Sequence, residues 1–99
     1  MIGFYRMASI APGTLPNALA FAREIAAHIK DKHGVELSIA MPIGGNPFRI
    51  GWSTRYENLA EMEEKQAAMM GDPIYVEKVV KAADLFIAGS VHDEVWKIL

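Results

Sequence analysis

The stretch Arg55–Phe86, "RYENLAEMEEKQAAMMGDPIYVEKVVKAADLF", passes from the end of a strand-like alternation into two helical periods divided by Gly71, Asp72 and Pro73. Asn58, with Glu61 three residues later, matches the capping box that opens a helix. Leu59, Met62, Gln66, Met69 and Met70 then gather on one helical face, and Gly71 closes the run. Asp72 followed by Pro73 supplies an N-cap and a first-turn proline for a second helix. Val76, Val79, Val80 and Ala83 predict its buried stripe.

On the N-terminal side, "IGFYRMASIA", Ile2 to Ala11, has the aromatic and branched content of a strand, and Pro12-Gly13 stops it. Thr14 is placed to cap a helix whose apolar side holds Leu15, Leu19, Ala22, Ile25, Ala26 and Ile29, with Phe21 on its shoulder. His33-Gly34 ends it, glycine taking the left-handed conformation that closes a last turn. In "VELSIAM", Val35, Leu37, Ile39 and Met41 alternate with polar or small residues, and "PIGGNP" turns the chain. "FRIGWSTRY" then alternates Phe48, Ile50, Trp52, Thr54 and Tyr56 against Arg49, Gly51, Ser53 and Arg55, which predicts a hairpin. "VHDEVWKIL", Val91 to Leu99, is the expected last strand.

The order strand, helix, strand, strand, broken helix, strand gives an α+β fold. With right-handed crossovers it becomes the βαββαβ ferredoxin-like plait, a four-stranded antiparallel sheet with helices on one face. Ninety-nine residues suit one domain spanning 1–99. A chain of this size buries only about 60–65% of its unfolded surface, yet 52% of its residues are apolar and its mean hydropathy is +0.12. Phe4, Tyr5, Met7, Trp52 and Trp96 spread large groups over both parities of three strands, so a second copy is expected to cover the bare sheet face as a twofold homodimer.

Ten Lys or Arg against twelve Asp or Glu, mixed along the chain, offer no row of cations for nucleic acid. Without cysteine there is no disulfide, zinc-thiolate site or thiol nucleophile. No run reaches the length of a membrane span, and the N-terminus lacks a leader pattern, so a soluble cytoplasmic protein is expected. "GTLPNA" and "GGNP" lack the lysine and spacing of a phosphate loop, and "GWST" lacks the second glycine of a nucleophile elbow. The methionine stripe 62, 69 and 70 fits core filling first and a binding groove second.

Arg6, alone in a weakly polar strand, could hold a carboxylate, phenolate or enolate, or form an ion pair with Glu36, Asp93 or Glu94. Arg49, Arg55 and Ser53 share a parity, which suits an anion site or a solvated edge strand. Trp52 and Tyr56 on the other parity, and Trp96 on the last strand, are placed for core, partner or a planar ligand. His28 is expected on the surface near Glu24, and His33 at the helix end as cap or packing. His92 shares a face with Glu94 and could serve as an acid or base. Two such groups without a third do not make a metal site, and no HExxH pattern occurs, so neither metal nor cofactor is expected.

"YRMASIAPGTL" from Tyr5, "WSTRYENLAEME" from Trp52, "DPIYVEKVVKAADLF" from Asp72 and "GSVHDEVWKIL" from Gly89 together resemble the dimeric α/β-barrel superfamily, and within it NIPSNAP-like proteins. The resemblance spans nearly the whole chain, mostly through turns and caps. It implies two plaits meeting sheet to sheet, sometimes around a ligand cavity, and an arginine at the position of Arg6. Its wider relatives include cofactor-independent monooxygenases as well as proteins without assigned activity. Two functions emerge as expectations: a homodimeric domain binding a small apolar or aromatic ligand or a protein, and a monooxygenase for a phenolic or polyketide-like substrate. Arg6 and His92 are the catalytic candidates; Arg6, Arg49, Trp52, Ser53 and Trp96 are the ligand-binding ones.

Overall fold

The computed structural model describes residues 1–99. Strand β1 (Ile2–Ser9) leads into helix α1 (Leu15–His33), a short β2 (Ser38–Ala40) and β3 (Arg49–Tyr56). Helices α2 (Leu59–Met70) and α3 (Pro73–Lys81) come next, then a single 3₁₀ turn (Ala83–Leu85) and β4 (His92–Lys97). The sheet order is β2-β3-β1-β4, every neighbouring pair antiparallel, with the helices on one face. This is the ferredoxin-like arrangement that the element order predicts.

Even-numbered residues of β1 and β3 point toward the helices, because side chains alternate along a strand. Ala8, Ile10, Ile50, Trp52 and Tyr56 meet Ala18, Ala22, Ile25, Ile29 and Met69 in one buried cluster, extended by Val35. The two alanines of α1 are fully covered, which brings that helix close to the sheet. Ile50 is only 1% exposed.

Four local expectations change. β2 is three residues long, since Val35 is buried and Leu37 partly buried against the helical side, and only Ser38–Ala40 pairs with Gly51–Ser53. Thr14 does not cap α1 with its side chain; its hydroxyl donates to the carbonyls of Ala11 and Leu85 instead, at 2.8 and 2.9 Å, tying the helix start to the 3₁₀ turn. On α3 the side facing the fold carries Tyr75, Lys78 and Ala82, and Val76, Val79, Val80 and Ala83 are exposed. The two rows are one residue, about 100°, apart on a helix. In α2, Met69 is buried and Met62 and Gln66 are half-buried, while Leu59 and Met70 at its ends are exposed.

The rotation of α3 is set by Asp72. Its Oδ1 accepts from the N–H groups of Ile74 and Tyr75, capping the helix as the Asp-Pro pair predicts. Its Oδ2 receives His28 Nε2 at 2.7 Å and His33 Nε2 at 2.9 Å, both from the last turns of α1. The start of α3 is therefore fixed to α1 by side chains as well as by packing. Asn58 caps α2 in the expected way, accepting from Glu61 N–H, while the Glu61 carboxylate reaches back to Glu57 N–H. Gly34, at φ 68°, closes α1 in the left-handed conformation and donates to the Lys30 carbonyl.

Ile50→Ala is expected to destabilise the fold by about 2–5 kcal/mol, because the sheet centre cannot collapse onto the vacated space; urea unfolding with an unchanged m-value checks it. The His28 contact first and the His33 contact and backbone amides after it hold the Asp72 carboxyl well below the usual carboxylate range, against the opposing effect of burial. A carboxyl depressed by folding stabilises above its unfolded pKa and loses that contribution as pH falls through and below the ordinary carboxylate range. Asp72→Asn keeps a capping oxygen but removes the charge, so its thermal midpoint should lie several degrees below the wild type at pH 7, about 4–8 °C. That gap should narrow as pH falls below the ordinary carboxylate value and close only well below it, as the depressed native carboxylate itself takes up its proton; a gap that stays constant would show that the charge does not matter.

Candidate functional site

The pairing register decides which candidate residues can meet. Arg6 faces Trp52 on β3 and Asp93 on β4, and these three lie on the helix side of the sheet. Ser53 faces Tyr5, His92 faces Met7 and Glu94 faces Tyr5, all on the uncovered side with Arg49, Arg55 and Trp96. The sequence candidates therefore divide into two groups. Arg6 and Trp52 share one face; Arg49, Ser53, His92 and Trp96 share the other.

On the helix side, Arg6 grips Asp93 with a two-pronged contact, Nε to Oδ1 at 2.7 Å and Nη2 to Oδ2 at 2.8 Å. Of the ion-pair partners the sequence offers, Asp93 is the one that the register supplies. The pair raises the Arg6 guanidinium above its ordinary value, through the Asp93 hydrogen bonds first, with burial opposing. Arg6 also lies 5.6 Å from the Phe4 ring centroid and near Tyr75 of α3. With the two side chains 41% and 38% exposed, the pair contributes at most about 1 kcal/mol. Arg6 thus keeps donor capacity toward solvent.

Beside it, Trp52 forms an aromatic triangle with Phe21 of α1 and Phe86, the three rings edge to face with centroids 5.8–6.5 Å apart. Its indole N–H is buried and has no hydrogen-bond partner. Tyr56 stands further along the same face, and burial pushes its phenol up from the usual value while Gln66 of α2 opposes the shift. One guanidinium, one unpaired indole donor and the phenols of Tyr56 and Tyr75 thus occupy the layer between sheet and helices. None of these four is a nucleophile or a base at neutral pH.

The uncovered face has a different chemistry. Tyr5 and Trp96 are 40% and 58% exposed. Gly3 sits beneath Tyr5, where a Cβ would come within 3.2 Å of the ring, so glycine lets the phenol lie flat on the sheet. Along β4, Glu94 Oε1 accepts from Trp96 Nε1 at 2.9 Å and Glu94 Oε2 meets His92 Nε2 at 3.1 Å. The Trp96 contact first and the His92 contact second lower the Glu94 carboxyl below its usual range. Arg49 Nη2 reaches the Met7 sulfur at 3.3 Å.

Where β2 begins only at Ser38, a groove of about 600 Å³ opens along β3, lined by Tyr5, Ser38, Ser53, Arg55, Glu61 and Lys65 among others. Ser53 and Arg55 meet there; Arg49 is not among its lining residues. A second groove of about 350 Å³ runs between α1 and α3 around the Lys78–Glu24 contact.

The one cluster that sequence spacing does not reveal is His28, His33 and Asp72, whose candidate ligand atoms all lie within 4.8 Å of one another. His28, expected on the surface, is half-buried by its bond to Asp72, and His33 spends its ring on the same carboxylate. The lone signal available beforehand is that both histidines stand near the C-terminal end of a helix while an N-cap aspartate opens another.

No helix is long and apolar enough to cross a membrane. No protein-family model matches this sequence, and no curated protein matches it. Solved structures do. A NIPSNAP family protein of unknown function from Agrobacterium tumefaciens superimposes with a TM-score of 0.83 at 21% identity, over 99% of this chain and 87% of that one. An uncharacterized NIPSNAP domain protein from Burkholderia xenovorans gives 0.85 at 12% identity, over 100% and 95%. A protein from Nitrosomonas europaea provisionally named an antibiotic biosynthesis monooxygenase gives 0.77 at 16% identity, over 100% and 99%. At such identities the likeness establishes a shared fold: this chain has the fold of these NIPSNAP proteins along its whole length.

Proposed function

We propose that the chain is a NIPSNAP-like binding protein that works as a homodimer, its uncovered sheet face packed against the same face of a second copy. The supporting observation for the dimer is that face itself, which presents Tyr5 and Trp96 to solvent beside Met7. Aromatic residues and methionine are the types enriched where proteins meet. His92, Glu94, Arg49 and Arg55 would form polar contacts around them, as in other interfaces of mixed character.

The ligand in this reading is a small aromatic molecule carrying an anionic or carbonyl oxygen, held in each protomer on the helix side of the sheet. The observation that carries it is the buried, unpartnered indole N–H of Trp52 on the same face as Arg6. A buried donor without an acceptor costs about 1–3 kcal/mol, and a ligand oxygen would supply the acceptor. Arg6 would complement the charge, and Phe4, Tyr56 and Tyr75 would cover the ring. Binding is favoured over turnover because the one carboxylate beside Arg6 on that face, Asp93, is held by the guanidinium in a two-pronged ion pair, and His92 stands on the opposite side of the sheet. The monooxygenase reading would use the same residues, with Arg6 stabilising a phenolate before its reaction with oxygen.

Sedimentation equilibrium should give twice the 10.9 kDa chain mass, and Tyr5→Glu with Trp96→Glu should return a folded monomer. A wild-type monomer at high concentration would refute the dimer. For the ligand, Trp96→Phe leaves Trp52 as the lone tryptophan, so a panel of small phenols and aromatic acids can be titrated by fluorescence. Saturable quenching that weakens about tenfold or more in Arg6→Met is expected, in line with loss of a charge-assisted contact. Arg6→Met itself should cost at most about 1 kcal/mol of stability. No saturable change with any compound would defeat the ligand reading, and oxygen uptake with a phenol would move it to turnover.

A further inference from the structure

We propose that His28, His33 and Asp72 form a binding site for a divalent transition-metal ion, with zinc as the best-fitting choice. The site uses none of the side chains assigned to the ligand; Tyr75 contributes only its backbone N–H here. It joins the end of α1 to the junction between α2 and α3.

The geometry is that of convergence on one atom. Both imidazoles approach the same carboxylate oxygen through the same ring nitrogen, Nε2 to Oδ2 at 2.7 and 2.9 Å. The other oxygen, Oδ1, is already engaged by the N–H groups of Ile74 and Tyr75. That fixes the carboxylate plane from behind, which is the part an outer-shell partner plays in a metal site. Pairing Oδ2 requires one imidazole; the fold supplies two. The rings stand edge to face, 76° apart with centroids at 6.2 Å, so their nitrogens meet without stacking.

Tetrahedral coordination with metal–ligand bonds of about 2.0–2.1 Å spaces ligand atoms about 3.3 Å apart. The two nitrogen-to-oxygen distances would therefore lengthen by about half an ångström as the ion replaces two N–H···O contacts with bonds to three atoms. Two neutral imidazoles and one carboxylate are borderline ligands that suit zinc, and also cobalt, nickel and copper in the usual order of affinity. Calcium and magnesium, which demand oxygen, fit poorly. Asp72 and His33 are 2% and 8% exposed and His28 is 15% exposed, so the ion would enter past His28 and keep its fourth position toward solvent. Lys65 donates to the His33 carbonyl at 3.1 Å, holding the end of α1 and thereby the backbone of one ligand.

The test uses the tag-free full chain. Calorimetric titration with zinc chloride should give one ion per chain, and titration with cobalt chloride should develop the visible absorption of a tetrahedral site. His28→Gln and His33→Gln keep a side-chain donor for Asp72 but remove a metal ligand. Each should weaken zinc binding beyond the roughly 10–100-fold that loss of an outer-shell partner typically causes. In ring-nitrogen NMR correlations of the wild type, zinc should move the signals of His28 and His33 and leave those of His92 in place, a readout that holds even if a variant fails to fold. The proposal is overturned by absence of one-to-one binding, by glutamine variants that fold and bind as the wild type does, or by zinc shifts confined to His92.

Discussion

A four-stranded sheet has two faces, and a chain of 99 residues with three helices covers only one of them. That constraint governs everything else in this molecule. Packing requires the covered face to be apolar and close-fitting, and Ala18 and Ala22 of α1 provide the near approach that lets Ile50 and Trp52 be sealed beneath. The other face is free of that demand and carries aromatic, basic and acidic side chains together. Strand alternation thus converts a single linear pattern into two surfaces with different chemistry.

The helical layer is organised by one carboxylate. Asp72 is at once a helix cap and the meeting point of two imidazoles, so the end of α1 and the start of α3 share a single anchoring group. Because that group fixes how α3 is turned, it also decides that Tyr75 rather than Val76 or Val80 lies toward the sheet. A polar clamp thus joins packing in fixing a helix none of whose nine residues is fully buried, where more often the apolar stripe alone determines how a helix is rotated.

Much of the fold is visible in the sequence because its elements are punctuated by residues with narrow conformational roles. Gly34, Asn58 and the Asp72-Pro73 pair each mark a helix boundary for a physical reason that operates locally, and the structure places the boundaries there. The alternation of β3 likewise assigns the correct face to Ile50, Trp52 and Tyr56. Local pattern could not supply long-range partnership. Val76, Val79 and Val80 form a good helical stripe but the helix is turned away from it. His28 and His33 are read singly as surface and end-of-helix residues because the carboxylate that unites them lies on a different element. Arg6 is conspicuous in a strand, yet only the register of β4 shows that Asp93 faces it and that His92 does not.

The last strand is held mainly by its backbone. None of the six side chains of β4 is buried, and its attachment to the sheet rests on main-chain pairing with β1 and the fork between Arg6 and Asp93. Substitutions at His92, Glu94 and Trp96, which lie on the uncovered side, therefore alter the outer surface without perturbing the interior. Within a lineage sharing this scaffold, β4 is the segment where recognition can diverge fastest while the architecture stays the same.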